Sequence, residues 1–359
     1  MGGGVSLMYS ISAFALFAFV LCVALIPLVI HFCRKFSLYD SVNARKIHSG
    51  NIPRLGSAAV VPSFFIALLI CLLNNKLLSL RQSVPLIVAG SLIFLFGLLD
   101  DVKDLRAVFK LLVQLVACAC VVLGGYRFRQ IFGIVLPKYI GMIFTFCWIL
   151  GIVNAYNLID GMDGLCGVLS FTALVTIGIL LSGSFAEGTA ISLILAASIA
   201  GFLVYNLPLP NARIFLGDGG SQFLGFMIAT IPLYTTTERF EYTKFLIMLV
   251  IVSFPMMDTI AAIWRRIRDH RPVMSPDKYH LHHKLLNIGF NKVQALAIVS
   301  VIQIFLCAVV IFASHQRQKI ALVMLVCVYF FMICFFSAVH YVNKAVTRRI
   351  LDRDRMLRR

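Results

Sequence analysis

SVPLIVAGSLIFLFGLLDDVKDLRAVFKLLVQ, residues 83–114, decides the fold. From Ser83 to Leu99 no residue is charged, and at ~1.5 Å of helix rise per residue the run covers most of a ~30 Å hydrocarbon core. It ends on two adjacent carboxylates, Asp100 and Asp101, and a second apolar run begins at Ala107. A charge held deeper in the membrane costs roughly 2.5–3.5 kcal/mol on insertion scales, so carboxylates at such a mouth have a partner or a job. The plainer alternative is that they end one helix and cap the next. Asp104 follows Asp100 by one helical turn, and Lys110 lies near the mouth of the second run. Carboxylates and an ammonium together suit a cation and a phosphate.

Runs of the same kind extend along the whole chain, which is 60% hydrophobic and only 13% charged. They predict an all-α, polytopic integral membrane protein with about eleven transmembrane helices, at 10–33, 55–73, 83–99, 107–124, 139–157, 164–183, 187–206, 218–234, 243–264, 292–314 and 318–342. With no repeat and no linker, residues 1–359 read as one domain ending in a basic tail, 343–359. Counted over alternate loops, one face collects 23 of the 32 Lys and Arg residues, which makes that face cytoplasmic, with the N-terminus outside and the C-terminus inside. Twelve of the fifteen acidic residues share it, although carboxylates do not obey the positive-inside rule. A face rich in both signs is a working face. The net charge of +17 follows from this topology and the tail, which reads as a solvated or headgroup-binding end and not as a nucleic-acid surface. The ten cysteines sit in or beside apolar runs without a C-x-x-C pair, as packing residues do.

Four further constellations fall on the same face. In KIHSGNIPRLG, residues 46–56, Pro53 and the glycines shape a loop carrying Lys46, His48 and Arg54, a pattern for binding an anion. In GIVNAYNLIDGMDGLCG, residues 151–167, helical phase places Asn154, Asn157 and Asp160 on one side and Asp163 just beyond. An EF-hand's ligand spacing and closing glutamate are missing there. In YNLPLPNARIFLGDGGSQFLG, residues 205–225, glycines surround Asp218 at the start of an apolar run. Backbone N–H groups at such a helix start favour phosphate, and the carboxylate favours the metal that phosphate carries. Phe215 either stacks on a base or packs. The run ending at Trp264 holds Asp258, expected to pair with the basic end beyond it, where Arg265, Arg266, Arg268 and Arg271 stand. His280, His282 and His283 follow. A zinc site lacks further ligands nearby, so a protonated or hydrogen-bonding histidine cluster beside pyrophosphate is the better reading.

Taken in order, KIHSGNIPRLG, GLLDDVKDLRAVFKLLVQ, NAYNLIDGMDGL, ARIFLGDGGSQFLG and SPDKYHLHHKLL resemble the motifs of the polyprenyl-phosphate N-acetylhexosamine-1-phosphate transferases, a glycosyltransferase 4 family. The resemblance runs from the first basic loop to about residue 295. It implies Mg²⁺-dependent transfer, with Mn²⁺ as a substitute, of a sugar-1-phosphate from a UDP-N-acetylhexosamine to undecaprenyl phosphate with release of UMP. It also implies a multi-pass protein of the bacterial plasma membrane with a cytoplasmic active site, acting as the first membrane step of a surface glycan. A homodimer is the candidate assembly. By matching motif, Asp218 would be the metal ligand with Asn157 as a second. One of Asp100 and Asp101 would act on the lipid phosphate, and Lys110 would contact phosphate. Asp160, Asp163, Asn206 and Phe215 would lie on the nucleoside side, and Lys46, His48, Arg54, Arg265 and Arg268 would bind substrate. His280, His282 and His283 would lie near the sugar or pyrophosphate. Ser57 departs from a second glycine of the pattern. The H-L-H-H spacing is similar to the N-acetylglucosamine group of the family, whereas the lipid I translocases, the alternative, carry three consecutive histidines. A transporter, the remote alternative, would place its ionisable groups near the bilayer midplane.

Overall fold

The computed structural model describes residues 2–39, 52–75, 83–103, 105–207, 211–234, 238–272 and 279–357. Lys46 and His48 lie outside these residues. The chain runs through α1 (Gly2–Lys35), α2 (Ser57–Asn74), α3 (Ser83–Lys103), α4 (Ala107–Leu123), α5 (Lys138–Ile159), α6 (Leu165–Leu181) and α7 (Ala186–Asn206). It continues through α8 (Asp218–Thr230), α9 (Glu238–Ile251), α10 (Ser253–Arg268), α11 (Leu281–Ile288), α12 (Lys292–Ser314) and α13 (Gln318–Leu357). A two-residue antiparallel ladder pairs β1 (Gln130–Ile131) with β2 (Ile134–Val135) between α4 and α5.

The architecture is all-α and polytopic. By length and composition seven helices can cross a membrane, α1, α2, α3, α5, α7, α12 and α13, or eight when α9 and α10 count as one broken span. Helices α4 and α6 are shorter but apolar. Each of the eleven expected runs is largely helical, yet two differ from a straight span. The run 218–234 is the 13-residue α8 followed by a 3-10 turn, Ile231–Tyr234. The run 243–264 is not one helix, because α9 and α10 meet at a 74° bend. Pro255 explains the break: it has no N–H, and its ring excludes the carbonyl four residues back, at Ile251. The freed Ile251 oxygen accepts instead from Gln303 Nε2 of α12 at 3.0 Å. The basic stretch after residue 342 continues α13 as one helix to Leu357.

Helix α8 is the hub. Every residue from Gly219 to Thr230 is buried, packed chiefly against α3 and α5, so its buried polar side chains need partners on neighbouring helices. Such close packing needs small residues where axes approach, as in membrane bundles generally. At Gly97 a Cβ would fall on the Cα of Gly219 and within 2.8 Å of its nitrogen. Helices α1, α2 and α7 pack together on one flank, and α9 to α13 on another. The outward faces of α1 and α13 carry exposed Leu, Val and Phe side chains, as lipid contact requires.

Candidate active site

The first turn of α8 is where the chain's ends of helices converge. Asp101, buried at the end of α3, accepts from the backbone N–H of Asp218 through Oδ1 at 2.8 Å and from that of Gly219 through Oδ2 at 3.0 Å. The next two N–H groups, of Gly220 and Ser221, go to the carbonyl of Gly217. Gly217 takes φ +83, and a side chain there would run into the Arg54 carbonyl and the Asp101 carboxylate. All four donors of the α8 start are therefore spent inside the protein. The expectation that this glycine-rich helix start offers its N–H groups to phosphate is corrected: a carboxylate from another helix has taken the anion's place.

With Asp101 committed as a cap, its neighbour faces the other way. Asp100 Oδ1 accepts from the Leu105 N–H at 2.8 Å, and its Oδ2 is ion-paired with Lys110 Nζ. Lys110 also reaches Asp218 Oδ2 at 3.0 Å, so one ammonium bridges two carboxylates that are themselves close enough to hydrogen-bond. Only 4% of the Asp100 side chain is exposed against 38% of Asp218, which makes Asp218 the carboxylate a ligand meets first. Asn157, near the end of α5, adjoins Asp218 and donates Nδ2–H to Ser221 Oγ at 3.1 Å. Below them Asn154 Nδ2 donates to Gln114 Oε1 at 3.0 Å and Gln114 Nε2 to Gln222 Oε1 at 2.9 Å. This amide chain ties α5, α4 and α8 together beneath the charged cluster. It was readable only as isolated Gln and Asn in apolar runs.

The site fits a hard divalent cation. Among the described residues no three His, Cys, Asp or Glu side chains gather into a metal centre. However, Mg²⁺ needs only one or two carboxylates and keeps water for the rest, and the Lys110 ammonium already occupies a point where positive charge is wanted between Asp100 and Asp218.

The other expected residues divide. Arg54 stands close enough to Asp101 to act on it electrostatically. Backbone bonds from Phe215 N to Pro53 O and from Gly56 N to Phe215 O, both 2.8 Å, pin this basic loop to the segment before α8. Phe215 itself is half-buried. Asn206 is buried, and both ends of its amide are used on backbone: Oδ1 accepts from Gly164 N and Nδ2 donates to Ile214 O. Asp163 is buried and paired with Lys292 at 3.3 Å, while Asp160 stays half-exposed at the end of α5. Arg265 is half-buried on the last turn of α10, and Arg268 is exposed and paired with Asp269 at 2.9 Å.

Asp258 does not pair with these arginines as expected. Its Oδ2 lies 2.8 Å from His280 Nδ1, and its Oδ1 accepts from Leu281 N at 2.8 Å, capping α11. His282 packs on the turn after α5, where a Cβ at Gly161 would come within 2.8 Å of its Nε2. Burial, then the neighbouring His283, pushes the His282 pKa down to about 3, and neither ring nitrogen has a hydrogen-bond partner among the described residues. His282 is thus a buried, packed ring, against the expectation of a protonated one.

The cap role of Asp101 carries a prediction. Asp101→Ala leaves two N–H groups without an acceptor in a buried setting, and losing a cap of this kind costs about 1–2 kcal/mol. A lowered thermal midpoint in detergent is expected, and an unchanged midpoint would show that α8 does not depend on this carboxylate.

The model of glycosyl transferase family 4 matches residues 83–236, the span that holds α3 through α8. Among similar proteins is a "probable undecaprenyl-phosphate N-acetylglucosaminyl 1-phosphate transferase" of Bacillus subtilis (strain 168), 33% identical over 77% of this chain and 77% of its own. An "undecaprenyl-phosphate alpha-N-acetylglucosaminyl 1-phosphate transferase" of Escherichia coli (strain K12) is 30% identical over 91% of this chain and 90% of its own. A "decaprenyl-phosphate N-acetylglucosaminephosphotransferase" of Mycobacterium leprae is 33% identical over 69% of each.

Proposed function

Because the chain belongs to glycosyl transferase family 4, we propose that it transfers N-acetylglucosamine-1-phosphate from UDP-N-acetylglucosamine to undecaprenyl phosphate and releases UMP. The observation that carries this reading is the Asp100, Lys110 and Asp218 cluster at the end of an apolar, membrane-length helix, where a lipid phosphate and a water-borne nucleotide sugar can meet. The names of the relatives support N-acetylglucosamine over the muramoyl-peptide donor of lipid I synthesis. We place the site on the cytoplasmic face of the bacterial plasma membrane, with eleven crossings and the N-terminus outside, since the positive-inside count and the supply of UDP-sugar agree on that orientation.

In this mechanism an oxygen of the lipid phosphate attacks the sugar-bearing phosphorus of the donor. A new O–P bond forms as the pyrophosphate bridge breaks, and the bridging oxygen leaves on UMP. Asp218 and Asn157, with Asp100 behind, would hold Mg²⁺, which when bound supplies charge neutralisation at the pyrophosphate. Asp100 is the member of the aspartate pair assigned to take a proton from a protonated lipid phosphate, because its Oδ2 faces Lys110 within the charged cluster, whereas both oxygens of Asp101 point to the backbone of the α8 start. Lys110 then stands between carboxylates and phosphates as the mobile positive charge. Asn206 and Asp163 act by holding the loops that shape the donor site.

The test offers purified protein undecaprenyl phosphate with UDP-N-acetylglucosamine, UDP-N-acetylgalactosamine or UDP-N-acetylmuramoyl-pentapeptide. Lipid-linked product and UMP are expected from the first donor. Efficient use of the pentapeptide donor would overturn the assignment.

A further inference from the structure

Asp258 belongs to no part of the cluster just described, yet it is the more deeply buried carboxylate. It lies on α10 with 2% of its side chain exposed, where an unpaired charge would be strongly destabilising. Its two contacts divide its oxygens: Oδ1 receives the Leu281 N–H, and Oδ2 faces His280 Nδ1. A carboxylate oxygen is an acceptor, so this contact suits the tautomer with hydrogen on Nδ1, which leaves Nε2 for another group. The ring is also held by packing. It stacks on His282 with centroids 6.0 Å apart and planes 6° from parallel, and His282 in turn rests against Gly161, in the turn between Asp160 and Asp163. A ring held in orientation by a buried carboxylate and by a neighbouring ring that rests on the turn after α5 is suited to a directed contact.

We propose that Asp258 is a positioning residue for phosphosugar transfer, holding His280 with Nδ1–H toward its carboxylate so that Nε2 accepts a hydrogen bond from the sugar of the bound donor. The proposal rests on the transfer reading above for the identity of that donor. The geometry of the pair does not depend on it.

Asp258→Asn separates positioning from scaffolding. The amide oxygen still caps α11 through Leu281 N, but the NH₂ end can only donate, which forces His280 Nδ1 to accept and moves the ring hydrogen to Nε2. The expected result is a fall of about 10²-fold in kcat/KM with UDP-N-acetylglucosamine at a near-wild-type thermal midpoint. In a His280→Ala background the same replacement adds no further loss. Activity within threefold of wild type, or losses that multiply across the two sites, would overturn the proposal. The ring is read separately from the ¹⁵N spectrum of histidine-labelled protein, with His280→Ala identifying the signal. Nδ1–H in wild type and Nε2–H in Asp258→Asn are expected, and Nε2–H in wild type overturns the inference whatever the donor. A wild-type protein inert toward UDP-N-acetylglucosamine would instead count against the transfer reading.

Discussion

Asp218→Asn abolishes transfer, with a fall of about 10³-fold or more in kcat, while the protein stays folded and membrane-inserted. The carboxylate is the exposed member of the cluster, and its oxygen is shared with Lys110. Asparagine has the same shape but no charge, so it neither balances the ammonium nor binds a divalent cation strongly. The fold has little reason to fail, because what starts α8 is the Asp218 backbone N–H on Asp101, and that bond survives the replacement. The measurement is turnover across a Mg²⁺ titration together with the thermal midpoint. Near-normal turnover at ordinary Mg²⁺ would remove Asp218 from the cation's ligand set.

Gly97→Val produces the largest structural loss. The Cβ at this position falls on the backbone of Gly219, which cannot rotate aside, so α3 and α8 must separate. Overpacking of this kind costs about 1–3 kcal/mol where side chains can yield, and more where backbone is struck. Separation also pulls Asp101 from the Asp218 and Gly219 N–H groups, so folded yield and turnover should fall together. Gly90→Ala is the contrast on the same helix, because there the added methyl meets the edge of the Phe223 ring at 3.1 Å, a side chain that can shift. Equal thermal midpoints for the two variants would show that the helix contact is looser than described.

The membrane class and the positions of the charged constellations were legible because both rest on local patterns. A run without charge needs a hydrocarbon environment, and a carboxylate at its end marks the boundary wherever the run packs. The partners of those carboxylates were not legible. Asp101 and Asp100 are adjacent and chemically identical, yet one caps α8 and the other faces Lys110, a division set by the angle at which α3 meets a helix more than a hundred residues later. Asp258 looked like the counter-ion of nearby arginines because sequence distance was the only guide. The arginines stand on the same helix α10 but seven or more residues further on, about 10 Å along its axis, whereas the start of α11 packs beside Asp258 and brings His280 to it. Proline in an apolar run signals a kink, but its size depends on whether a neighbour such as Gln303 takes up the freed carbonyl. The loop holding Lys46 and His48 lies outside the described residues.

The bond from Asp101 to the start of α8 also sets an order in time. A ribosome delivers the chain from its N-terminus, so α3 and α4, which carry Asp100 and Lys110, are made while the segment from residue 218 onward is still to come. Until then the two α8 donors of Asp101 are missing, and the third member of the cluster does not exist. The nascent protein is therefore unable to gather the charges needed for chemistry during most of its synthesis, and the contact that completes the site spans four intervening helices. The charged cluster is therefore complete only once α8 is packed against α3 and α5.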